Sequence, residues 1–138
     1  MKIGIMGGTF NPIHNAHLLI AEMAREEYGL DRVIFITDGN PPHKSANVTA
    51  KQRFEMTHIA IADNSAFEED DFEINRSEKS YTVNTLGYLK EKYPNDDLFF
   101  IIGEDSLNDF DKWYKPDKIL EMCSLLVFPR KSLKSLTE

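Results

Sequence analysis

Four short apolar runs recur along the chain at spacings that suit the buried strands of one sheet. They occupy residues 3–6, 33–36, 98–102 and 125–128. Strands that are buried on both faces carry nearly continuous apolar residues, so these runs predict a parallel sheet with helices on both sides. A fifth segment, residues 67–74, mixes aromatic with acidic side chains and predicts a weaker strand at a sheet edge.

Helical periodicity separates these runs. Apolar residues three or four apart predict a first helix that ends at Gly29, a second that begins after Thr49, and a third that ends before Pro94. Residues 49–52 have the form of a capping box, which sets the start of the second helix. The alternation of strands and helices predicts an α/β fold: a Rossmann-like, doubly wound, mainly parallel five-stranded sheet with right-handed crossovers.

Size and charge limit the classes of function. A chain of 138 residues, 41% of them hydrophobic, has the size of a single domain. The formal net charge of −7 argues against a nucleic-acid-binding face or a polybasic membrane patch. Residues 1–60 hold six basic and six acidic side chains, so the acidic excess lies later in the chain. A small anion would therefore bind near the first half.

The cellular compartment is predicted from what the sequence contains. No stretch approaches the ~18 apolar residues of a membrane span, and the apolar run at the N-terminus is too short for a signal peptide. The single cysteine, Cys123, lies in an apolar run, where a buried reduced thiol is typical of a reducing compartment. We expect a cytoplasmic protein.

Two loops are candidates for chemistry, because an open α/β sheet binds ligands beyond the carboxyl ends of its strands, where the strand order reverses. These are residues 7–17, after the first strand, and residues 103–106, after the fourth. The first loop reads Gly-Gly-Thr-Phe-Asn-Pro-Ile-His-Asn-Ala-His. Its glycines admit close approach of a ligand, and the following helix offers unpaired N–H groups, so it predicts a phosphate cradle. It lacks both the dinucleotide fingerprint and the P-loop lysine pattern.

Two histidines stand at the start of the first helix. His14 and His17 are three residues apart, which places both imidazoles on one face near the same anion. A capping histidine and a packed histidine are the structural alternatives. A zinc site is a third, but His-x-x-His supplies only two ligands and no nearby Cys or carboxylate has the matching spacing. We therefore predict no metal site built by the protein.

This loop resembles the signature of the nucleotidyltransferase superfamily, which ends in His-x-Gly-His. Asn11 stands where Asp is usual, and Ala16 where Gly is usual. Further motifs are similar to bacterial nicotinic acid mononucleotide adenylyltransferases: Pro-Pro-His-Lys at 41–44, Ser-Tyr-Thr at 80–82, Gly-Glu-Asp-Ser at 103–106, and Trp113. The likeness runs from residue 1 to residue 130.

The resemblance implies a reaction in NAD biosynthesis. Adenylate would pass from ATP to nicotinic acid mononucleotide, giving nicotinic acid adenine dinucleotide and pyrophosphate, with Mg²⁺ entering with ATP. The attacking phosphate is already an anion, so the protein needs to position it and neutralise charge rather than supply a base. A non-catalytic nucleotide-binding remnant and a sibling adenylyltransferase with another phosphate acceptor are the alternatives. Association into a homo-oligomer is left open.

The resemblance and the residue types together imply three groups of site residues. The catalytic group is His14, His17 and Lys44. The ATP-binding group is Gly7, Gly8, Thr9, Phe10, Gly103, Asp105, Ser106 and Arg130. The group that binds the nicotinate nucleotide is Ser80, Tyr81, Thr82 and Trp113.

Each of these roles has a structural alternative. Lys44 would otherwise be an ordinary exposed loop lysine. Ser80 or Thr82 would cap the third helix, and Asp105 or Ser106 would cap the next one. Trp113, the single Trp, would pack into the core rather than stack on the pyridine ring.

One motif of the family has no match in this sequence. The resemblance implies a later Ser-Ser-Thr-x-x-Arg-type segment that contacts the ATP phosphates, and residues 132–135, Ser-Leu-Lys-Ser, do not replace it convincingly. We expect residues 1–138 to be a single nucleotidyltransferase domain without the C-terminal part of the family domain. Such a chain should bind the mononucleotide measurably and ATP weakly.

Overall fold

The computed structural model describes residues 1–8, 10, 13, 15–39, 49–75 and 81–129. Within these ranges five parallel strands form one sheet in the order β3-β2-β1-β4-β5. The strands are β1 (Lys2–Gly8), β2 (Arg32–Thr37), β3 (Phe67–Asp70), β4 (Asp97–Gly103) and β5 (Ser124–Phe128). The order reverses between β1 and β4, which confirms the doubly wound α/β fold.

Helices connect successive strands in the described ranges. They are α1 (Asn15–Tyr28), α2 (Ala50–Ile61), α3 (Thr82–Lys92), α4 (Glu104–Asn108) and α5 (Pro116–Met122), with a 3-10 helix at Phe110–Lys112. The alternation of strands and helices in the sequence implied one helix between β4 and β5, and this was wrong, since two α-helices and the 3-10 helix lie there. Pro116 cannot continue an existing helix, so it begins a new one after Lys115, whose backbone is left-handed with φ of 50°.

Two predicted helix boundaries are confirmed by their hydrogen bonds. The Thr49 hydroxyl accepts from the Gln52 amide at 3.1 Å, and the Gln52 side chain accepts from the Thr49 amide at 3.0 Å, which completes the capping box. At the end of α1, Gly29 has a φ of +64°, and the Leu30 amide donates to the Arg25 carbonyl at 2.9 Å. This bond satisfies a carbonyl of the last turn, as in a Schellman motif.

The apolar runs are buried on both faces, as predicted. Val33 and Phe35 of β2 lie in the cluster that contains α1 residues, whereas Ile34 and Ile36 lie in the cluster that contains α3 and α5 residues. Alternate residues of a strand point to opposite faces, so one continuous run supplies both cores. The central strand, β1, is paired on both sides: Ile5 stands opposite Ile34 and Phe100.

The edge strand β3 is shorter than predicted, since it ends at Asp70 and residues 72–75 form a turn. The buried Asp70 carboxylate accepts hydrogen bonds from the Phe72 amide at 2.9 Å, the Tyr88 hydroxyl at 3.0 Å and the Lys92 ammonium at 3.0 Å. The hydrogen bond to Asp70 also raises the pKa of Lys92. A buried carboxylate needs such donors. The hydrogen bond from the Phe72 amide to Asp70 forms a turn, which bends the chain out of the sheet.

Gly39 follows β2 at a point where two backbone segments touch. A Cβ there would lie 2.2 Å from the Glu73 carbonyl oxygen and 2.7 Å from the Ile74 Cα. We expect Gly39→Ala to lower the free energy of unfolding by about 1–3 kcal/mol, because the neighbouring atoms are backbone and cannot rotate away. Denaturant unfolding followed by circular dichroism measures this loss.

Gly87 is the matched control. It lies inside α3, where a Cβ would meet nothing within 4 Å. Gly87→Ala should therefore raise the free energy of unfolding by up to ~1 kcal/mol, the difference between Ala and Gly in a helix interior. If Gly39→Ala were as stable as the parent chain, the close approach of these segments would be wrong.

Cys123 is half-buried between α5 and β5, and its thiol donates to the Ile119 carbonyl at 3.4 Å. Burial raises the pKa of this thiol to about 11. The thiolate is the reactive form, so we expect iodoacetamide to label folded Cys123 slowly at pH 8 and faster as the pH rises toward 11. Mass spectrometry measures the labelling. The chain unfolded in guanidinium is the control and should react at the ordinary rate; equal rates in both states would contradict the burial.

Candidate functional site

A cleft of about 660 Å³ lies at the carboxyl ends of β1 and β4, where the strand order reverses. This is the position that the sequence pattern predicted. Its walls come from the end of β1, the first turn of α1, the start of α3 and the segment after β4. The polar and aromatic side chains that the structure describes in these walls are His17, Asp38, Glu73, Thr82, Thr85, Phe100, Ser106, Trp113 and Phe128.

The two glycines at the end of β1 both line the cleft, but for different reasons. A Cβ on Gly7 would meet nothing closer than 3.8 Å, so its backbone is open to a ligand. A Cβ on Gly8 would lie 3.0 Å from the Phe10 ring. The Phe10 ring is buried in the core and lies outside the cleft walls, so a larger residue at position 8 would press against a packed ring.

His17 is brought to the cleft by the first turn of α1. Its side chain is half-buried, and its ring lies 5.2 Å from the Phe10 ring in an edge-on arrangement with an interplanar angle of 82°. The first turn of α1 holds no acidic residue. The positive end of the helix dipole and an imidazole donor thus face the same space, which suits an anion.

The start of α3 forms the opposite wall. Tyr81 is the N-cap residue, and its side chain makes no capping hydrogen bond. Thr82 is the first helical residue and lines the cleft, so the alternative that Thr82 caps the helix is wrong. One turn later, the Thr85 hydroxyl donates to the Glu73 carboxylate at 2.5 Å, which ties the helix to the turn after β3.

Trp113 combines the two interpretations that the sequence left open. Its ring packs against Phe110 at 5.0 Å and against Phe100 at 6.0 Å, yet the residue is only half-buried and lines the cleft. The neighbouring Tyr114 ring lies 4.6 Å from the Tyr81 ring, which holds this segment against the start of α3. Core packing is confirmed, and stacking on a ligand stays a prediction.

The segment after β4 supplies Gly103 and Ser106 to the cleft, whereas Asp105 is exposed and lies outside its walls. Gly103 is the N-cap residue of α4, and Asp105 and Ser106 belong to the helix itself. The alternative that one of these two side chains caps the helix is therefore wrong.

Five further predicted site residues lie outside the described residues: Thr9, His14, Lys44, Ser80 and Arg130.

Three polar residues of the walls were missed by the sequence reasoning: Asp38, Glu73 and Thr85. Asp38 directly follows β2, next to β1, so the rule about carboxyl ends of strands could have identified it. Glu73 is brought in by the turn after β3, which no local pattern predicts. Thr85 lies one turn after Thr82 on α3 and is bonded to Glu73.

A buried arginine stands behind Asp38. Arg53 of α2 is 2% exposed, and its guanidinium donates to the Asp38 carbonyl at 2.7 Å. Burial lowers the pKa of Arg53, while the nearby Asp38 acts in the opposite direction. Asp38 and Glu73 make one wall of the cleft acidic, and this wall would repel an anion. Among the described lining residues, an anion would therefore bind on the side of His17.

The described residues set limits on two other kinds of function. Among them, no three His, Cys, Asp or Glu side chains are grouped so that they could hold a metal ion. None of the helices in the described ranges has the length and apolar character needed to span a membrane.

A parallel doubly wound sheet with a glycine-rich strand end and a helix N-terminus at its switch point is typical of nucleotide-binding α/β proteins. The chain belongs to the cytidylyltransferase-like family, whose model matches residues 5–137.

Curated relatives confirm the resemblance seen in the motifs. A nicotinate-nucleotide adenylyltransferase of Citrifermentans bemidjiense is 49% identical over 142 aligned residues, which cover 100% of this chain and 66% of that protein. One of Geobacter sulfurreducens is 50% identical over 132 residues, which cover 94% of this chain and 61% of that protein. The chain thus spans less than two thirds of the length of these relatives.

A solved structure supports the fold. Nicotinic acid mononucleotide adenylyltransferase of Plasmodium falciparum, complexed with NaAD, superposes with a TM-score of 0.82 at 23% identity. The superposition covers 98% of this chain and 70% of that one.

Proposed function

We propose that residues 1–138 form a nucleotidyltransferase domain that transfers adenylate from ATP to nicotinic acid mononucleotide. The observation that carries this proposal is one cleft that joins His17 and the glycine-rich end of β1 to Thr82 and Trp113. The first part suits phosphate groups, and the second suits a planar ring that bears an anion. The names of the relatives at 49% and 50% identity support the same reaction.

The reaction is a displacement at phosphorus. A phosphate oxygen of the mononucleotide attacks the α-phosphorus of ATP, a new P–O bond forms, and the bond to the bridging oxygen breaks so that pyrophosphate leaves. The nucleophile carries no proton that must be removed, so the protein acts by position and charge. His17 and the start of α1 would donate to the transferred phosphate, with Gly7 and Gly8 giving it room. His14, Lys44 and Thr9 are proposed to complete this group.

The acceptor would bind at the start of α3. The first N–H groups of that helix and the Thr82 hydroxyl suit the pyridine carboxylate, because both are donors at the positive end of a helix dipole. Trp113 would stack on the pyridine ring, and its contact with the Phe110 ring would hold it in position. Ser80 and Tyr81 are proposed to shape the same end.

The adenosine end of ATP would lie near Gly103 and Ser106, which line the cleft beside β1. Asp105 and Arg130 are assigned to ATP by the resemblance alone. Phe10 is assigned to ATP in the same way. Its ring is buried in the core, so the ring itself would not contact ATP.

A divalent metal generally accompanies ATP in nucleotidyltransferases, and we propose Mg²⁺. The described walls offer the two carboxylates Asp38 and Glu73, and Mg²⁺ is commonly held by one or two carboxylates together with substrate phosphates and water. The residues therefore fit an ion that arrives on ATP better than one that the protein holds alone. Its chemistry would be to neutralise phosphate charge.

Two measurements on the 138-residue chain test the proposal. Calorimetric titration with nicotinic acid mononucleotide measures acceptor binding, and release of pyrophosphate in the presence of ATP and Mg²⁺ measures transfer. We expect both signals, with nicotinate mononucleotide preferred over nicotinamide mononucleotide and over phosphopantetheine. Binding without pyrophosphate would instead identify a non-catalytic nucleotide-binding module, and preference for another phosphate would identify a sibling transferase.

A further inference from the structure

Phe10 has a backbone conformation that is uncommon for its residue type. Its φ is +49°, in the left-handed region that favours glycine, and its ring is only 3% exposed. Such a conformation in a bulky residue costs free energy and persists only where the surroundings impose it. The ring must therefore be held in its place by contacts that outweigh this cost.

The contacts of the ring join the core to the cleft. On one side Phe10 packs against Phe35 of β2, with centroids 6.1 Å apart. On the other side it meets His17 at 5.2 Å with the two rings nearly perpendicular. Three atoms of the Phe10 ring would lie 3.0–3.4 Å from a Cβ on Gly8, so the missing side chain of Gly8 provides its space. With this left-handed backbone, the Phe10 ring lies against the His17 imidazole.

We propose that Phe10 is a positioning residue that holds the His17 imidazole in one orientation toward the cleft. The χ2 rotation of histidine is broad, so the imidazole needs a neighbour to select an orientation. Perpendicular aromatic pairs are a favoured geometry and would supply that selection. The inference rests on the proposed function for its kinetic consequence, but the orientation of the ring can be measured without turnover.

Phe10→Leu tests the kinetic part. We expect kcat to fall roughly 10- to 100-fold, because the donor at the transferred phosphate loses its alignment, while the KM values for both substrates change less than about twofold. Phe67→Leu is the matched control, since Phe67 of β3 packs against Phe35 at 5.1 Å in the same core cluster and lies outside the cleft walls. It should lower stability by a similar amount and leave kcat unchanged.

A double variant separates positioning from packing. With His17 already replaced by Ala, Phe10→Leu should cause no further fall in kcat, because the side chain that it orients is gone. An equal fall in kcat in both backgrounds would overturn the proposal. If Phe10→Leu does not fold, Phe10→Met keeps a similar volume without the ring and takes its place.

A measurement by NMR keeps this inference separate from the proposed function. Three-bond couplings from the His17 Hβ protons to the ring carbon Cδ2 should report one χ2 orientation in the parent chain and in Phe67→Leu, and averaging between orientations in Phe10→Leu. Absence of adenylyl transfer by the parent chain would reject the proposed function but leave this result intact. A single, unchanged His17 orientation in Phe10→Leu would reject the positioning role even in an active protein.

Discussion

Replacement of His17 by Ala is expected to lower kcat for adenylyl transfer by ~10²-fold or more, the usual effect of losing one donor that stabilises developing charge. His17 lies in the first turn of α1 and in the wall of the cleft, next to Gly7 and Gly8. Initial rates of pyrophosphate release at saturating ATP and mononucleotide measure this effect.

His58→Ala is the control for this prediction. His58 is the other histidine that the structure describes, and its side chain is 72% exposed on α2, 2.7 Å from the Glu69 carboxylate and outside the cleft walls. Turnover of the His58 variant should equal that of the parent chain. Normal turnover of His17→Ala would show that His17 takes no part in the reaction and only packs against Phe10.

The second large effect is expected at Trp113. Trp113→Ala should weaken the binding of nicotinic acid mononucleotide by about 1–3 kcal/mol, the usual contribution of stacking between an aromatic side chain and a base. Because Trp113 is the single Trp, titration of the parent chain with the mononucleotide should also quench its fluorescence. Calorimetry on both chains measures the difference in affinity.

Two controls distinguish stacking from loss of packing. Trp113→Phe keeps a ring that can still contact Phe110, so it should retain most of the affinity. Thermal unfolding of each variant shows whether the change acts through stability. An emission spectrum that stays constant at saturating mononucleotide, together with unchanged affinity in Trp113→Ala, would mean that the ring serves the core alone.

The position of the cleft could be predicted from the sequence because it depends on strand order. The apolar runs predicted the parallel strands, and the helical patterns between them implied the crossovers that reverse the order beside β1. The glycines at the end of β1 and the histidine at position 17 then had to meet the segment after β4. The structure places Gly7, Gly8, His17, Gly103 and Ser106 in one cleft.

The contents of the opposite wall could not be predicted in the same way. Glu73 reaches the cleft because β3 ends at Asp70. The Asp70 carboxylate accepts from the Phe72 amide and also from Tyr88 and Lys92 of α3, more than 15 residues away. Thr85 is then held by Glu73. No local pattern contains such partners, so the sequence interpretation extended β3 too far and missed both residues.

The sequence alone determined the elements whose signals are local. The capping box at Thr49, the end of α1 at Gly29 and the apolar runs of the strands depend on residues within a few positions of each other, so short segments were sufficient to predict them. Only the tertiary structure decided which side chains face the ligand space and which face the core. Phe10 and Asp105 both belong to motifs that the resemblance assigns to ATP, yet the Phe10 ring is buried against His17 and Asp105 is exposed outside the cleft walls. Side-chain direction depends on contacts between distant elements, and a motif records only the order of residues.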